Sequence, residues 1–430
     1  MPGPTSPPPR RLPLRRSDLR GLSRLGIEGS VAITSLVEAM HHTIASRIGF
    51  DRPSVESRSS GLTGMVYRTV RGALRAAGHG VDAGLRLVEP AAPSTPRTDL
   101  PATPERDAFI AALNGVCGDH LAASGNPLAI AMSLRCGGVP LCLQRAALAA
   151  PGPSLTTSGS KLLVLVHGLC MSDRQWLRHG HDHGQALARD GGFTPLYLHY
   201  NSGRHVSHNG RDFAALLQQL LDAWPRPVDE LVILGHSVGG LVARSACHHA
   251  AQHGQPWLGA LSTLVCLGTP HHGAPLERGG RWLDQLLELS PYVAPFARLG
   301  KLRSAGITDL RYGNLQQADW QGRDRHAQRR DDRRPTPLPA GVDTFVIAAT
   351  LAATPAQLPH ALLGDGLVTL ASALGEHADP ALALRLPQHH RHVVTACGHL
   401  DLLCHAAVSA QLRRWLGRAR AAAAPAASTA

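Results

Sequence analysis

From residue 161 onward, apolar runs of strand length alternate with stretches whose apolar positions recur every three or four residues. The runs are 162–166, 193–200, 231–234, 261–267, 343–348 and 391–395, and the helical stretches are 185–188, 210–223, 238–253 and 400–416. Strands without polar alternation are buried on both faces, so this rhythm predicts a mostly parallel sheet with helices on both sides. Upstream the rhythm is purely helical. Ile33, Leu36, Val37, Met40 and Ile44 form one stripe. Leu62, Met65, Val66, Val70, Ala73, Leu74 and Ala77 form a second, with Arg68, Arg71 and Arg75 off it. A third helix is expected over 107–121, after Pro104. Such stripes pack on one another or on a larger domain. The alternative is that the arginine-flanked helix lies on a lipid surface. The run 139–148 fits a first strand or a helix equally well.

Composition divides the chain. Residues 1–17 are a Pro/Arg-rich tail, 18–150 a helical N-terminal region with a loop at 90–104, and 151–160 a linker. Residues 161–416 form the main domain, interrupted at 276–340 by an insertion whose segment 323–334 is too charged for a core, and 417–430 are an Ala-rich tail. A length of 430 residues accommodates one large domain and an addition. The net charge of +12 is almost all arginine, with lysine only at 161 and 301, and favours anionic partners. Aromatics are 4% and do not interleave with basic residues, so no specific nucleic-acid partner is expected. Eight cysteines without C-x-x-C spacing read as reduced thiols in a core. No apolar run reaches 18 residues and no apolar block follows the first arginines. The expectation is a cytoplasmic protein without a spanning helix, open to peripheral membrane contact.

The chemistry centres on 231–241, LVILGHSVGGL, which reads as strand, sharp turn and helix with Ser237 at the apex. In such an elbow the serine is forced into a strained conformation, and the residues two before and two after it must be small. Gly235 and Gly239 occupy both positions. A serine hydroxyl needs a base, and the base an orienting acid, in the chain order Ser, Asp or Glu, His. Asp365, between two glycines, is the best acid downstream. His399, between the last strand and the last helix, is the best base, ahead of His389, His390 and His392. The oxyanion requires two backbone donors. Val238 N–H opens the helix after the serine, and the turn at Gly168 lets Leu169 N–H face the site. In the cluster 178–184, Asp182 or a neighbour is expected to cap a helix while His179, His181 and His183 face solvent; metal binding is the alternative. His271 and His272 are placed at the pocket mouth or the base of the insertion.

The set HGL (167–169), GHSVGG (235–240), LGTPHHGAP (267–275), GDGLVTLASALGE (364–376) and GHLDLL (398–403) resembles bacterial lipases and PGAP1-like esterases of the α/β-hydrolase superfamily. The resemblance covers about residues 160–416. It implies the α/β-hydrolase fold, Ser237 as nucleophile, Asp365 as acid, His399 as base, Leu169 and Val238 as oxyanion donors, and a cap in the insertion after Pro275. Some such lipases hold calcium through the aspartate two residues after the catalytic histidine, matched here by Asp401. Residues 348–363 contain no carboxylate for the second ligand, so no metal or other cofactor is expected. The function implied is hydrolysis of carboxylic esters with a lipid-like acyl group. A thioesterase or acyltransferase of the same fold, or a vestigial membrane- or protein-binding scaffold, are the alternatives.

Overall fold

A computed structural model describes residues 15, 17–30, 61–88, 103–150, 159–274, 303–324, 330–353 and 364–417. The stripe at 33–44, the first part of the insertion and nearly all of both tails lie outside these residues. The described chain divides into two compact units, 1–106 with 121–129, and 107–120 with 130–430.

The second unit is built on an eight-stranded sheet. Its strands are β1 (Ser133–Cys136), β2 (Val139–Pro140), β3 (Lys161–Val166), β4 (Thr194–His199), β5 (Glu230–His236), β6 (Leu261–Leu267), β7 (Asp343–Thr350) and β8 (Arg391–Thr395). Their spatial order is β2-β1-β4-β3-β5-β6-β7-β8. The strands β3 to β8 are parallel, while β1 runs antiparallel to both β4 and β2. Successive residues of a strand enter opposite faces. Leu162, Val164 and Val166 join one core and Leu163 and Leu165 the other. Because both faces are covered, apolar runs without alternation are what the strands require.

Two helices after the middle strands, α4 (Val206–Ala223) and α5 (Val238–His253), fill the first core with Phe213, Leu217, Leu241 and Val242. On the opposite face, α3 (His183–Gly191) and α7 (Ala406–Leu416) contribute Leu187, Val408 and Leu412. A short helix, α6 (Leu370–Leu374), follows the described end of the loop after β7. This is the α/β-hydrolase fold. All eight cysteines are free thiols; six are buried, Cys142 is exposed and Cys404 is intermediate.

Three local expectations are corrected. The sheet begins at Ser133, upstream of the start expected at 161, because the hairpin β1–β2 pairs its Leu134 and Arg135 with β4. The run 139–148 is neither one strand nor one helix: a two-residue strand is followed by a helix over Arg145–Ala149. The final helical stretch is broken as well. A 3-10 turn covers Asp401–Leu403, and the His405 side chain then caps α7 by accepting from Ala407 N–H.

In the first unit, residues 17–30 are helical and α1 spans Gly61–Val88; α2 follows at Pro104–Ala123. The buried Asp18 carboxylate takes two hydrogen bonds of 2.6 Å from Arg106. Gly21 permits close packing, since a Cβ there would sit 2.5 Å from Leu128 Cγ. The side of α1 that meets residues 17–30 carries Gly78, opposite Ile27, and Asp82, paired with Arg20. The apolar stripe is on another side: Val70 and Val81, which continues it, are 42% and 44% exposed. No helix among the described residues is long and apolar enough to cross a membrane.

Candidate functional site

Ser237 joins β5 to α5 with φ 55° and ψ −127°, a conformation a non-glycine residue adopts only when its surroundings enforce it. The enforcement is visible. Ser237 N–H donates to Leu267 O of β6 at 2.8 Å. A Cβ on Gly235 would lie 2.6 Å from Gly240 Cα, and one on Gly239 would lie 2.2 Å from Val166 O. Strand and helix therefore approach as the sequence requires of an elbow.

His399 and Asp365 meet at the same end of the sheet. His399 Nδ1 donates to Asp365 Oδ2 at 2.7 Å, and the two residues are 5% and 3% exposed. Asp365 Oδ1 accepts from the N–H groups of Leu367 and Val368 at 2.9 and 2.8 Å, and His399 N–H donates to Asp365 O at 3.0 Å. The carboxylate is thus held by three donors. With the proton on Nδ1, Nε2 of His399 is left with its lone pair, the state a general base needs. Gly268 brings the parts together. It directly follows β6, and a Cβ there would lie 3.1 Å from Asp365 Oδ2 and 3.2 Å from His399 Cε1. Ser237 Oγ makes no hydrogen bond among the described residues, so the serine–histidine link is the one the structure does not form. Asp365 also stands farther from its strand than expected: β7 ends at Thr350, and residues 354–363 of the loop between lie outside the described residues.

Leu169 and Val238 flank the serine. Neither N–H donates to an acceptor among the described residues, and both residues are buried. Gly168 explains the approach of the first loop, since a Cβ on it would touch Ser237 Cβ at 3.0 Å. The next residue, Cys170, has φ 59°, and its N–H donates to Ser202 Oγ at 3.1 Å. Burial pushes the Cys170 thiol up to about 12, which keeps it protonated at neutral pH.

Two supporting histidines were not singled out from the sequence. His236, in the elbow motif itself, donates through Nε2 to His399 O at 3.1 Å. It is fully buried, and burial together with the neighbouring His399 holds it well below the ordinary range. His167 is stacked on Tyr200 at 4.4 Å, donates through Nδ1 to Gly168 O at 2.8 Å, and is lowered to about 3 by burial. Both are neutral, so they act as hydrogen-bonding spacers. The position of His236 immediately before the serine, at the end of a fully apolar strand, is the signal that could have identified it.

The remaining candidates fall elsewhere. His389, His390 and His392 sit at the start of β8, the opposite strand end from His399. Asp182 caps α3 through Gln185 N–H at 3.0 Å, as expected. His183 does not face solvent, however: it is 1% exposed and donates to Leu402 O at 2.9 Å. The residues around Asp401 do not fit a calcium ion. Its Oδ2 accepts from Gly398 N–H at 3.1 Å, its Oδ1 lies 3.7 Å from Arg178, and its side chain is 50% exposed. His271 and His272 belong to the loop after β6, where His271 is fully buried and His272 half-buried.

Residues 157–320 match the family model of the PGAP1-like alpha/beta domain. No curated protein sequence matches the chain. Among solved structures, the mature lipase BlEst2 of Bacillus licheniformis is similar at 18% identity, over 60% of this chain and 91% of that one, with a TM-score of 0.40. EstA of Clostridium botulinum is similar at 13% identity, over 65% and 91%, with a TM-score of 0.33. An esterase of Pyrococcus furiosus is similar at 16% identity, over 60% and 84%, with a TM-score of 0.35.

Proposed function

We propose that this chain, an α/β-hydrolase with a PGAP1-like segment, is a serine hydrolase of carboxylic esters with lipid-like acyl groups. Ser237 Oγ attacks the ester carbonyl while His399 Nε2 takes its proton, and Asp365 holds the imidazole in the required tautomer. The N–H groups of Leu169 and Val238 receive the oxyanion. Collapse of the tetrahedral intermediate expels the alcohol with the proton from His399 and leaves an acyl-Ser237. Water, deprotonated by His399, then releases the acid. The observation that carries this reading is the buried 2.7 Å His399–Asp365 hydrogen bond at the strand ends where the strained serine stands. The test is labelling by a fluorophosphonate probe, followed by nitrophenyl esters of increasing chain length with and without an acceptor alcohol. Labelling at Ser237 and release of free acid are expected. Absence of labelling, with an intact fold by circular dichroism, overturns the reading in favour of a scaffold. Transfer to the alcohol in preference to water makes the enzyme an acyltransferase.

A lipid-like substrate resides in an interface, and the exposed Val70 and Val81 on α1 support a contact with one. Arg68 and Arg75, exposed on the same helix, add attraction to anionic lipid. Vesicles containing anionic lipid should co-sediment the full chain, and Arg68/Arg71/Arg75→Glu should weaken this about a hundredfold or more, at roughly 1 kcal/mol per charge. Equal sedimentation of both proteins refutes the contact.

A further inference from the structure

Cys170 follows Leu169 in the loop after β3 and holds φ 59°, a left-handed conformation that a residue with a side chain keeps only when its neighbours impose it. Two neighbours impose it here. One is α2, whose residues 107–120 belong to the second unit and lie upstream of the PGAP1-like segment. A Cβ on Gly115 of this helix would lie 2.2 Å from Cys170 Sγ and 2.8 Å from Cys170 N and Cα, so the loop backbone rests directly on the helix. The other is Ser202, buried in the loop after β4, whose Oγ accepts from Cys170 N–H at 3.1 Å. Ser202 is itself fixed by its neighbour. Asn201 Nδ2 donates to Gly118 O of α2 at 2.8 Å, Asn201 Oδ1 accepts from Gly203 N–H at 3.1 Å, and Asn201 O accepts from Asn209 Nδ2 at 2.9 Å. A further segment pins the helix in place. Ser304 Oγ donates to Gly115 O at 2.6 Å, and Ala305 N–H donates to Asp119 Oδ2 at 3.1 Å.

These contacts sort the N–H groups of the loop. Cys170 N–H is committed to Ser202, which fixes the plane of the Leu169–Cys170 peptide. Leu169 N–H, one residue earlier, has no acceptor among the described residues, and Gly168 sets this part of the loop against Ser237. An oxyanion donor is effective only when it is held in place before the charge develops. We propose that α2 and Ser202 position the oxyanion donor: Gly115 seats Cys170, Ser202 takes its N–H, and Leu169 N–H is thereby aimed at the carbonyl oxygen of an ester on Ser237. The inference rests on the serine-hydrolase reading and extends it, since a helix upstream of the PGAP1-like segment completes the site. Gly115 and Ser202 are positioning residues that act through Cys170.

The test uses the full chain, a nitrophenyl ester and an alkyl trifluoromethyl ketone, whose adduct with Ser237 carries an oxyanion. Turnover is expressed per site labelled to completion by the fluorophosphonate probe, so that unfolded protein is not counted. Ser202→Ala should lower kcat about tenfold, leave KM within about twofold, and raise the inhibition constant of the ketone about tenfold. Gly115→Ala should shift both kcat and the inhibition constant about a hundredfold, because its methyl group must move the Cys170 backbone. If Gly115→Ala does not fold, Ser202→Ala decides. An unchanged kcat in folded Ser202→Ala overturns the positioning role, as does a lower kcat with unchanged inhibition by the ketone, the mark of a defect that is only structural. A parent chain in which Ser237 takes no label overturns the hydrolase reading and this role together. A labelled parent beside an indifferent Ser202→Ala overturns this role alone.

Discussion

His399 and His205 each donate through Nδ1 to a buried aspartate. His399 reaches Asp365 at 2.7 Å; His205 reaches both oxygens of Asp309 at 3.1 and 3.2 Å. The aspartates are 3% and 1% exposed, and each also holds backbone N–H groups. The pairs differ in what surrounds the imidazole. His205 lies flat on Trp320, ring centres 3.6 Å apart and planes within 4°, and Trp320 donates to Ser207 Oγ. Asp309 additionally accepts from Val206 N–H, the first residue of α4, and from Asn314 Nδ2. That pair clamps the segment around Asp309 onto a helix start. His399 instead has a neutral histidine on its carbonyl, a glycine against its ring edge and a strained serine at the adjacent strand end. A buried histidine–aspartate hydrogen bond is therefore not in itself a catalytic signature; the surroundings of the free nitrogen decide its use.

Substitutions can break this contrast directly. Ser237→Ala and His399→Ala should each lower kcat on a nitrophenyl ester by about 10⁶, and the double variant should lose little more, because the residues act as a unit. Turnover near that of the parent in Ser237→Ala would sink the mechanism. Asp365→Asn should cost about 10⁴ in kcat with little change in unfolding midpoint, as expected when only the tautomer is disturbed. Asp309→Ala should do the reverse. It should leave kcat within about tenfold and cost roughly 3 kcal/mol of stability by orphaning three donors. A silent Asp365→Asn beside an inactive Asp309→Ala would exchange the two roles.

Acid stability sharpens the contrast further, because it is governed by other histidines. Burial lowers His167 to about 3 and His183 and His272 to about 4, and holds His236 and His271 well below the ordinary value. Below about pH 6.5 the unfolded chain binds protons that these native side chains refuse. Their contribution is complete above that pH and is withdrawn as pH falls toward the folded values, by up to about 1.4 kcal/mol per unit for each. Urea unfolding between about pH 7.5 and 5 should show a steep loss, made shallower in His183→Asn. A flat profile would mean that these imidazoles are not buried as described.

The six parallel strands were legible within a few residues: β3 to β7 are mainly apolar, largely buried runs closed by turn residues, whereas β8, on the sheet edge, is mostly half-buried. The hairpin at 133–140 was not, because a two-residue edge strand and its four-residue neighbour carry too little pattern. The elbow and its glycines, and the placement of Asp365 and His399, followed from chain order and spacing. What escaped was polar and buried. His236 and His205 look like any other of 25 histidines, and their partners are carbonyls or residues distant in sequence. Arg244 did leave a trace: a single charge inside the apolar stretch 241–246 of a helix that proves buried all round. The helix stripe at 62–77 was legible as a helix, yet periodicity could not say that residues 17–30 meet another side of it.

Ser237 is held on both sides by glycines that cannot grow. Its own hydroxyl makes no hydrogen bond among the described residues, whereas a methyl group at Gly239 would run into a carbonyl oxygen 2.2 Å away. Loss of chemistry and loss of fold are thus separable at 237 and inseparable at 239. Under neutral drift, a descendant released from catalysis would surrender its serine early and keep the glycines long afterwards. The pattern G-x-x-x-G, with any small residue at its centre, would then mark lineages in which the scaffold outlived the enzyme.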